Sequence, residues 1–185
     1  QILHAGWYLL ELINEILDLA AVESGQLALS SEPVSLAEAV HECRKMIEPL
    51  AHKRGISVGF PAMDQQPFVH ADRTRLKQVL INLLSNAIKY NHDQGWVDVS
   101  FASIAPARIR VSVKDSGPGL SGDQIAQLFQ PFNRLGQEGG AEQGTGIGLV
   151  MSKRLVELMG GVIGVDSQPG SGSTFWFELV EDEAP

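Results

Sequence analysis

The chain has 185 residues, and 22 acidic against 14 basic side chains give a formal net charge of −8. Such a surface repels polyanions, which excludes nucleic acid and anionic membrane as main partners. With 44% apolar and 19% charged residues the chain is neither disordered nor membrane-spanning, and its length suits one domain plus an appendage. The single cysteine, Cys43, excludes an internal disulfide and fits a reducing, cytoplasmic compartment. No apolar run is long enough for a transmembrane helix or a signal peptide.

The opening residues read as one helix. Leu3, Gly6, Leu10, Ile13, Leu17 and Ala20 recur at steps of three and four, a heptad seam, while Ile2, Leu9, Leu12, Ile16 and Leu19 lie outside it. A helix apolar on so many sides expects bundle neighbours, from this chain or from a second one. It starts at Gln1 without a cap, so a beginning inside a longer protein is expected, and Gly25 is a plausible stop. Leu27-Ala28-Leu29 reads as a short strand broken at Glu32-Pro33-Val34. Ser35 with Glu38 opens a helix through His52. Residues 56–60 and 68–70 are short strands, and Asp72 caps a strong helix to about Tyr90. Residues 96–103 and 108–114 alternate as neighbouring strands with Pro106 in their turn. Nine of the 19 glycines fall between Gly117 and Gly148, and 116–144 lacks periodicity; so long an irregular stretch is usually functional. A helix over 145–159 and strands over 162–167 and 174–179 close the chain. Helices segregated from strands indicate an α+β fold.

Three elements carry candidate chemistry. On the helix from Asp72, the residues Leu76, Val79, Leu80, Leu83, Leu84, Ala87 and Ile88 form a core face, and Asn82, Asn86 and Lys89 line up along its border. Asparagine is a poor helix former, and amide oxygens suit Mg²⁺ while the lysine suits phosphate, although for the stripe taken alone a plain polar border is the favoured account. Asp115-Ser116-Gly117-Pro118-Gly119-Leu120 ends a strand. Its carboxylate only accepts hydrogen bonds, so it suits the amino group of adenine and repels the oxygen of guanine; a strand-ending turn is the alternative. Gly144-Thr145-Gly146-Ile147-Gly148-Leu149 opens a helix whose bare N–H groups suit phosphate. No strand runs into it and no Gly-Lys-Ser/Thr ends it, so neither a dinucleotide fold nor a P-loop is indicated. Lys89 and Arg134 are the obvious cations for such a ligand.

In this order the three elements resemble the conserved boxes of sensor histidine kinases. Asn82–Tyr90 is similar to the N box, Asp115–Leu120 to the first glycine box, Leu128-Phe129-Gln130-Pro131-Phe132 to the F box and Gly144–Leu149 to the second glycine box. Gly170-Ser171-Gly172-Ser173-Thr174-Phe175 resembles the closing segment of the same domain. Residues 9–19 with Glu23-Ser24-Gly25 look like the second helix of the dimerisation and histidine-phosphotransfer hairpin. The resemblance implies a GHKL, Bergerat-type two-layer sandwich: a mixed sheet of about five strands on three helices, preceded by a long bundle helix. It divides the chain into a truncated hairpin helix at 1–25, a linker with a short strand at 26–35, an ATP-binding catalytic domain at 36–181 and a tail at 182–185.

By residue, the resemblance implies ATP and Mg²⁺ as ligands. Asn86 would hold the metal with Asn82 assisting, Lys89 would meet phosphate, and Tyr90 would lie near adenine or the α-phosphate. Asp115 would read adenine with Gly117, Gly119 and Thr174 nearby. Gly144, Thr145, Gly146, Gly148 and Leu149 would pass under the phosphates. A mobile lid over about 121–143, anchored by Phe129 and Phe132, would bring Arg134 to the γ-phosphate. The implied partners are ATP or ADP, a phosphotransfer hairpin in cis or trans, a response regulator and a second copy of the parent, whose membrane anchor, if any, lies in an absent segment.

The phosphate-accepting histidine of the family sits on a hairpin helix that this stretch does not contain. His41-Glu42-Cys43-Arg44 has a similar local spacing, but Met46 stands where proline belongs, and His41 reads as a solvated histidine. His4 lacks the pattern, His52, His70 and His92 are scattered without metal-ligand spacing, and Trp7 and Trp96 read as packing residues. The rival functions are another ATPase or serine kinase of the same fold, and a non-catalytic nucleotide-binding dimerisation module.

Overall fold

The computed structural model describes residues 27–62, 67–131 and 145–184, with Ile13, Ile16, Leu17, Ala20, Ser24 and Asn133. Alternating side chains build strands β1 (Ser31–Ser35), β2 (Ser57–Gly59), β3 (Phe68–Asp72), β4 (Trp96–Ile104), β5 (Arg108–Asp115), β6 (Val162–Ser167) and β7 (Ser173–Asp182). They form one sheet in the order β1-β3-β7-β5-β4-β2, with β6 also on β7. The β2–β4 pairing is parallel and the rest are antiparallel, so the sheet is mixed. Its seven strands exceed the expected five because β1 and β2 are short additions at its two ends.

The expected strand at 27–29 is irregular, and the strand instead runs through Pro33. An edge strand tolerates proline because one side of its backbone needs no ladder partner, and among the described residues β1 pairs only with β3.

Helix α1 (Leu36–Lys53) starts at Ser35, whose Oγ accepts from the Glu38 N–H at 3.3 Å. Helix α2 (Arg73–Lys89) starts at Asp72, whose Oδ1 accepts from the Arg75 N–H at 3.0 Å. Short α3 (Gly122–Gln127) has a complete capping box between Ser121 and Gln124, so the glycine-rich stretch is not wholly irregular. Helix α4 (Gly148–Leu158) begins three residues later than the sequence indicates, because Gly146 adopts φ +73° and breaks the helical path. Helices α1, α2 and α4 share one core with the inner face of the sheet, and Leu76, Leu80, Leu83, Leu84 and Ile88 of α2 are fully buried at its centre. Strand β7 continues to Asp182, where it pairs with β3.

Of the opening helix, the seam residues Ile13 and Leu17 are exposed, as is Ile16 beside them. Ala20 of the seam is exposed too, while Leu3, Gly6 and Leu10, with His4 and Trp7, lie outside the described residues. His41 is exposed on α1, as its solvated reading expects. Trp96 is not a core residue. Strand alternation turns it to the outer face of the sheet, where it is 42% exposed beneath the Lys114 ammonium at 5.8 Å.

Candidate nucleotide site

Strand β5 carries Ile109, Val111 and Val113 inward, and the same alternation brings Asp115 to the end of that buried row. A carboxylate there is costly unless hydrogen-bonded. Its Oδ1 accepts from the Gly117 N–H at 2.8 Å and the Ser173 N–H at 3.2 Å. Both bonds use one oxygen, and among the described residues Oδ2 has no hydrogen-bond partner. Burial pushes the carboxyl above the ordinary carboxylate range, against the pull of those two N–H groups. Asp115 is therefore an acceptor held in place on one side and available on the other.

The loop after Asp115 lies tightly on the β6–β7 turn. Gly119 backs onto the Gln168 carbonyl, the Leu120 N–H donates to Ser167 Oγ at 2.9 Å, and Ser167 Oγ donates to the Gly172 carbonyl at 2.9 Å. Gly172, at φ +76°, presses against the Asp115 carbonyl, so any side chain there would collide with backbone. Gly117 sits against the Tyr90 carbonyl, which a Cβ would approach to 3.0 Å.

Thr174 does not join this cluster. It pairs with Lys114 on the outer face, and Ser173 is the β7 residue at Asp115. Ser173 is not distinguishable from Thr174 in the sequence because the two hydroxyls are adjacent, and only the register, Asp115 opposite Ser173, separates them.

The asparagine stripe of α2 proves to be two different devices. Asn82 is tied to α4: its Nδ2 donates to Ser152 Oγ at 2.8 Å, and its Oδ1 would lie 2.5 Å from a Cβ on Gly148. Bare Gly148 thus lets the start of α4 approach α2 closely. Asn86, one turn on, is half-buried and makes no side-chain hydrogen bond among the described residues. Lys89 is half-buried, with its ammonium 5.5 Å from the ring of exposed Tyr90.

At the start of α4, Ile147 is the N-cap and offers no side-chain cap. Thr145 Oγ1 instead accepts from the Ile147 N–H at 3.3 Å. Among the described residues no side chain caps the first N–H groups of α4, which makes them a suitable receiver for an anion. Leu149 in this first turn packs partly against the core.

Phe129 lies under the Lys153 ammonium at 5.4 Å, which joins the F-box segment to α4. Phe132, Arg134 and Gly144 lie outside the described residues. Among the described residues no cluster of three His, Cys, Asp or Glu side chains could hold a metal. A divalent ion here needs neutral oxygens such as the unengaged Asn86 amide, which are ligands that Mg²⁺ accepts alongside water and phosphate.

One helix thus reaches both glycine elements, Gly148 at Asn82 and Gly117 at Tyr90. The eight helical steps between Asn82 and Tyr90 span about 12 Å, the scale of a nucleoside triphosphate rather than of a nucleobase alone. A family model described as "Histidine kinase-, DNA gyrase B-, and HSP90-like ATPase" matches residues 71–183, which contain every group just described. The chain belongs to this family.

Sensor protein GacS of Pseudomonas syringae pv. syringae is 41% identical over 179 residues, which cover 92% of this chain and 19% of GacS. The chain thus spans about a fifth of the length of that curated relative. Full-length ShkA, solved in complex with AMPPNP, superposes with a TM-score of 0.85 at 33% identity, covering 98% of this chain and 37% of ShkA. The nucleotide-free catalytic domain of histidine kinase ThkA gives 0.72 at 31% identity, covering 83% of this chain and 97% of that domain. ThkA has also been solved with the response regulator protein TrrA, and there the TM-score is 0.69 at 28% identity, over 92% of this chain and 49% of that one. The chain is an ATP-binding catalytic domain of the two-component sensor histidine kinase type. Among the described residues of the kinase domain, no helix is long and apolar enough to cross a membrane.

Proposed function

We propose that this domain holds ATP with Mg²⁺ and presents the γ-phosphate to a histidine on a hairpin helix of the parent protein, for relay to an aspartate of a response regulator. The observation that carries the reading is the reach of α2, which borders the buried acceptor Asp115 at one end and the uncapped start of α4 at the other. Asp115 receives the adenine amino group on Oδ2. The N–H groups of Gly148 and Leu149, with Gly146 and Thr145 before them and Gly144 leading in, cradle the phosphates, and Lys89 adds positive charge. Asn86 holds Mg²⁺, with Asn82 beside it fixing α4; the bound metal supplies neutralisation of phosphate charge as the phosphoryl group departs. Tyr90 flanks the nucleotide, and Arg134 meets the γ-phosphate from the lid over about 121–143. Residues 1–25 form the second hairpin helix, whose exposed Ile13 and Leu17 pair with a second copy in a homodimeric, cytoplasmic parent.

The protein's part in the chemistry is positioning and charge screening, with little covalent work. The test is phosphotransfer from γ-labelled ATP. Label is expected on a separately supplied hairpin bearing the acceptor histidine, and not on this chain alone. Stable label on the chain alone, or none on the hairpin while ATP is bound, contradicts the reading.

A further inference from the structure

Arg54, just past the end of α1, makes more polar contacts than a surface arginine needs. Its Nη1 donates to the Ile88 carbonyl at 3.1 Å and to the Lys89 carbonyl, and its Nη2 donates to the Asn91 carbonyl at 3.0 Å. Nε and Nη2 both reach Asp93 Oδ1 at 3.2 Å. Its side chain is 21% exposed, whereas that of Asp93 is 79% exposed, so the carbonyls are the protected partners. They are among the last carbonyls of α2 and the turn that follows, where a helix runs short of internal donors, although the Ile88 carbonyl also accepts from the Asn91 N–H at 3.4 Å. A guanidinium fork serves several of them at once and complements the negative end of the helix. The backbone strengthens the join: the Gln94 N–H donates to the Arg54 carbonyl and the Ser57 N–H to the Gly95 carbonyl, both at 3.1 Å.

The turn so held leads to Asp115 through Asn91, which is buried although polar. Asn91 Nδ2 donates to the Trp96 carbonyl at 3.0 Å, and its Oδ1 accepts from Ser116 Oγ at 3.0 Å and from the His92 N–H at 2.9 Å. Ser116 Oγ in turn accepts from the Trp96 N–H at 2.8 Å. Gly95 makes the knot possible, because a Cβ there would lie 2.5 Å from Asn91 Oδ1 and 2.7 Å from Ser116 Oγ. Ser116 stands between Asp115 and Gly117, and Gly117 rests on the Tyr90 carbonyl.

We infer that Arg54 and Asn91 are positioning residues that lock the end of α2, and with it Asn86 and Lys89, at a fixed distance from Asp115. This rests on the reading of Asn86–Lys89 and Asp115 as two ends of one nucleotide site. A plain helix cap stabilises the fold and leaves the relation between the ends alone. A positioning clamp instead governs how well one ligand reaches both ends.

The test uses Arg54→Ala and Arg54→Lys in the 185-residue chain, with two measurements. Amide hydrogen exchange reads the clamp without nucleotide, and titrations with ATP·Mg²⁺ and with adenosine read its consequence. In Arg54→Ala, exchange at residues 91–96, 116 and 117 is expected to rise about tenfold or more, while the central amides of β5 and β7 hold. Affinity for ATP·Mg²⁺ is expected to fall about tenfold, against less than about threefold for adenosine, since adenosine uses only the Asp115 end. Arg54→Lys keeps the charge without the fork and is expected to recover part of both losses; should the alanine variant not fold, the lysine variant is read by the same measurements. Equal losses for ATP and adenosine, an ATP affinity within about twofold of the parent chain's, or unchanged exchange at Ser116 and Gly117 each overturn the inference. A parent chain that binds no nucleotide, with exchange still raised at Ser116 and Gly117, overturns the proposed function and leaves the clamp standing.

Discussion

The two ends of the site are built by opposite means. Around Asp115, nearly every polar group is engaged: Gly117, Ser173, Ser167 and Gly172 lock the loop between β5 and the β6–β7 turn. At the start of α4, the N-cap Ile147 makes no side-chain cap and Asn86 has no side-chain hydrogen bond among the described residues, while the Asn82–Ser152 hydrogen bond and the shared core fasten the helix to α2. Recognition of a base edge requires a fixed acceptor, because a misplaced carboxylate loses its discrimination. A phosphate chain with its metal is held by many weak donors, and these must be left unengaged until it arrives. On the proposed reading, rigidity would sit where shape is read, and unsatisfied polarity where charge is received.

Breaking the rigid end should cost the most. Gly172→Ala places a Cβ against the Asp115 carbonyl at a φ of +76°, and about 2–5 kcal/mol of stability should be lost, read from the urea midpoint. An unchanged midpoint would show that the turn is not tightly held.

Asp115→Asn separates shape from charge. The amide keeps an acceptor for Gly117 and Ser173 and turns a donor toward adenine, so ATP affinity should fall about 100-fold, or about 2.7 kcal/mol. The carboxyl is pushed up by burial, so its contribution to stability is present below the ordinary carboxylate pKa and is lost as pH rises through the raised value. The variant escapes that loss, and its nucleotide-free form should be at least as stable as the parent at pH 7, by thermal melts across pH. In the parent, ATP affinity should weaken as pH falls through that raised value, because protonation puts a donor where adenine needs an acceptor.

Asn82→Ala and Asn86→Ala sharpen the contrast within one helix. The first should cost about 1 kcal/mol of stability by releasing Ser152. The second should change stability by less than about 0.5 kcal/mol while removing the Mg²⁺-dependent part of ATP affinity. Similar stability losses in both would erase the distinction.

A modest effect on stability alone, with none on nucleotide affinity, is expected far from either end. Glu42 on α1 meets Lys77 Nζ at 2.8 Å and Arg73 Nη2 at 2.5 Å on α2, and these partners hold its carboxyl down at about 2. Its stabilisation is present above the ordinary carboxylate pKa and is lost as pH falls toward about 2. The pair is solvent-screened, so Glu42→Gln should cost no more than about 1 kcal/mol at pH 7 and nothing in strong acid.

The parts of this arrangement that repeat locally were legible in the sequence. The core face of α2, the caps at Ser35 and Asp72 and the alternation of β4 and β5 follow from periods and short-range hydrogen bonds. Helix α3 was hidden although its Ser121–Gln124 box was on view, because the surrounding glycines suggest only loop. The choice between Ser173 and Thr174 depends on strand register, which no single strand encodes. Asn82 and Asn86 look alike in sequence and differ only once α4 is laid beside α2. Arg54 was invisible because its carbonyl partners lie more than thirty residues away.

The central claim is that α2 joins an adenine acceptor to a phosphate receiver in one site. Calorimetric titration of the 185-residue chain with ATP and GTP, each with and without Mg²⁺, tests it most directly. ATP should bind, more tightly with Mg²⁺, and GTP at least about tenfold more weakly, because guanine sets an oxygen against the Asp115 carboxylate. Equal binding of both nucleotides, or no ATP binding with Mg²⁺ present, would contradict it.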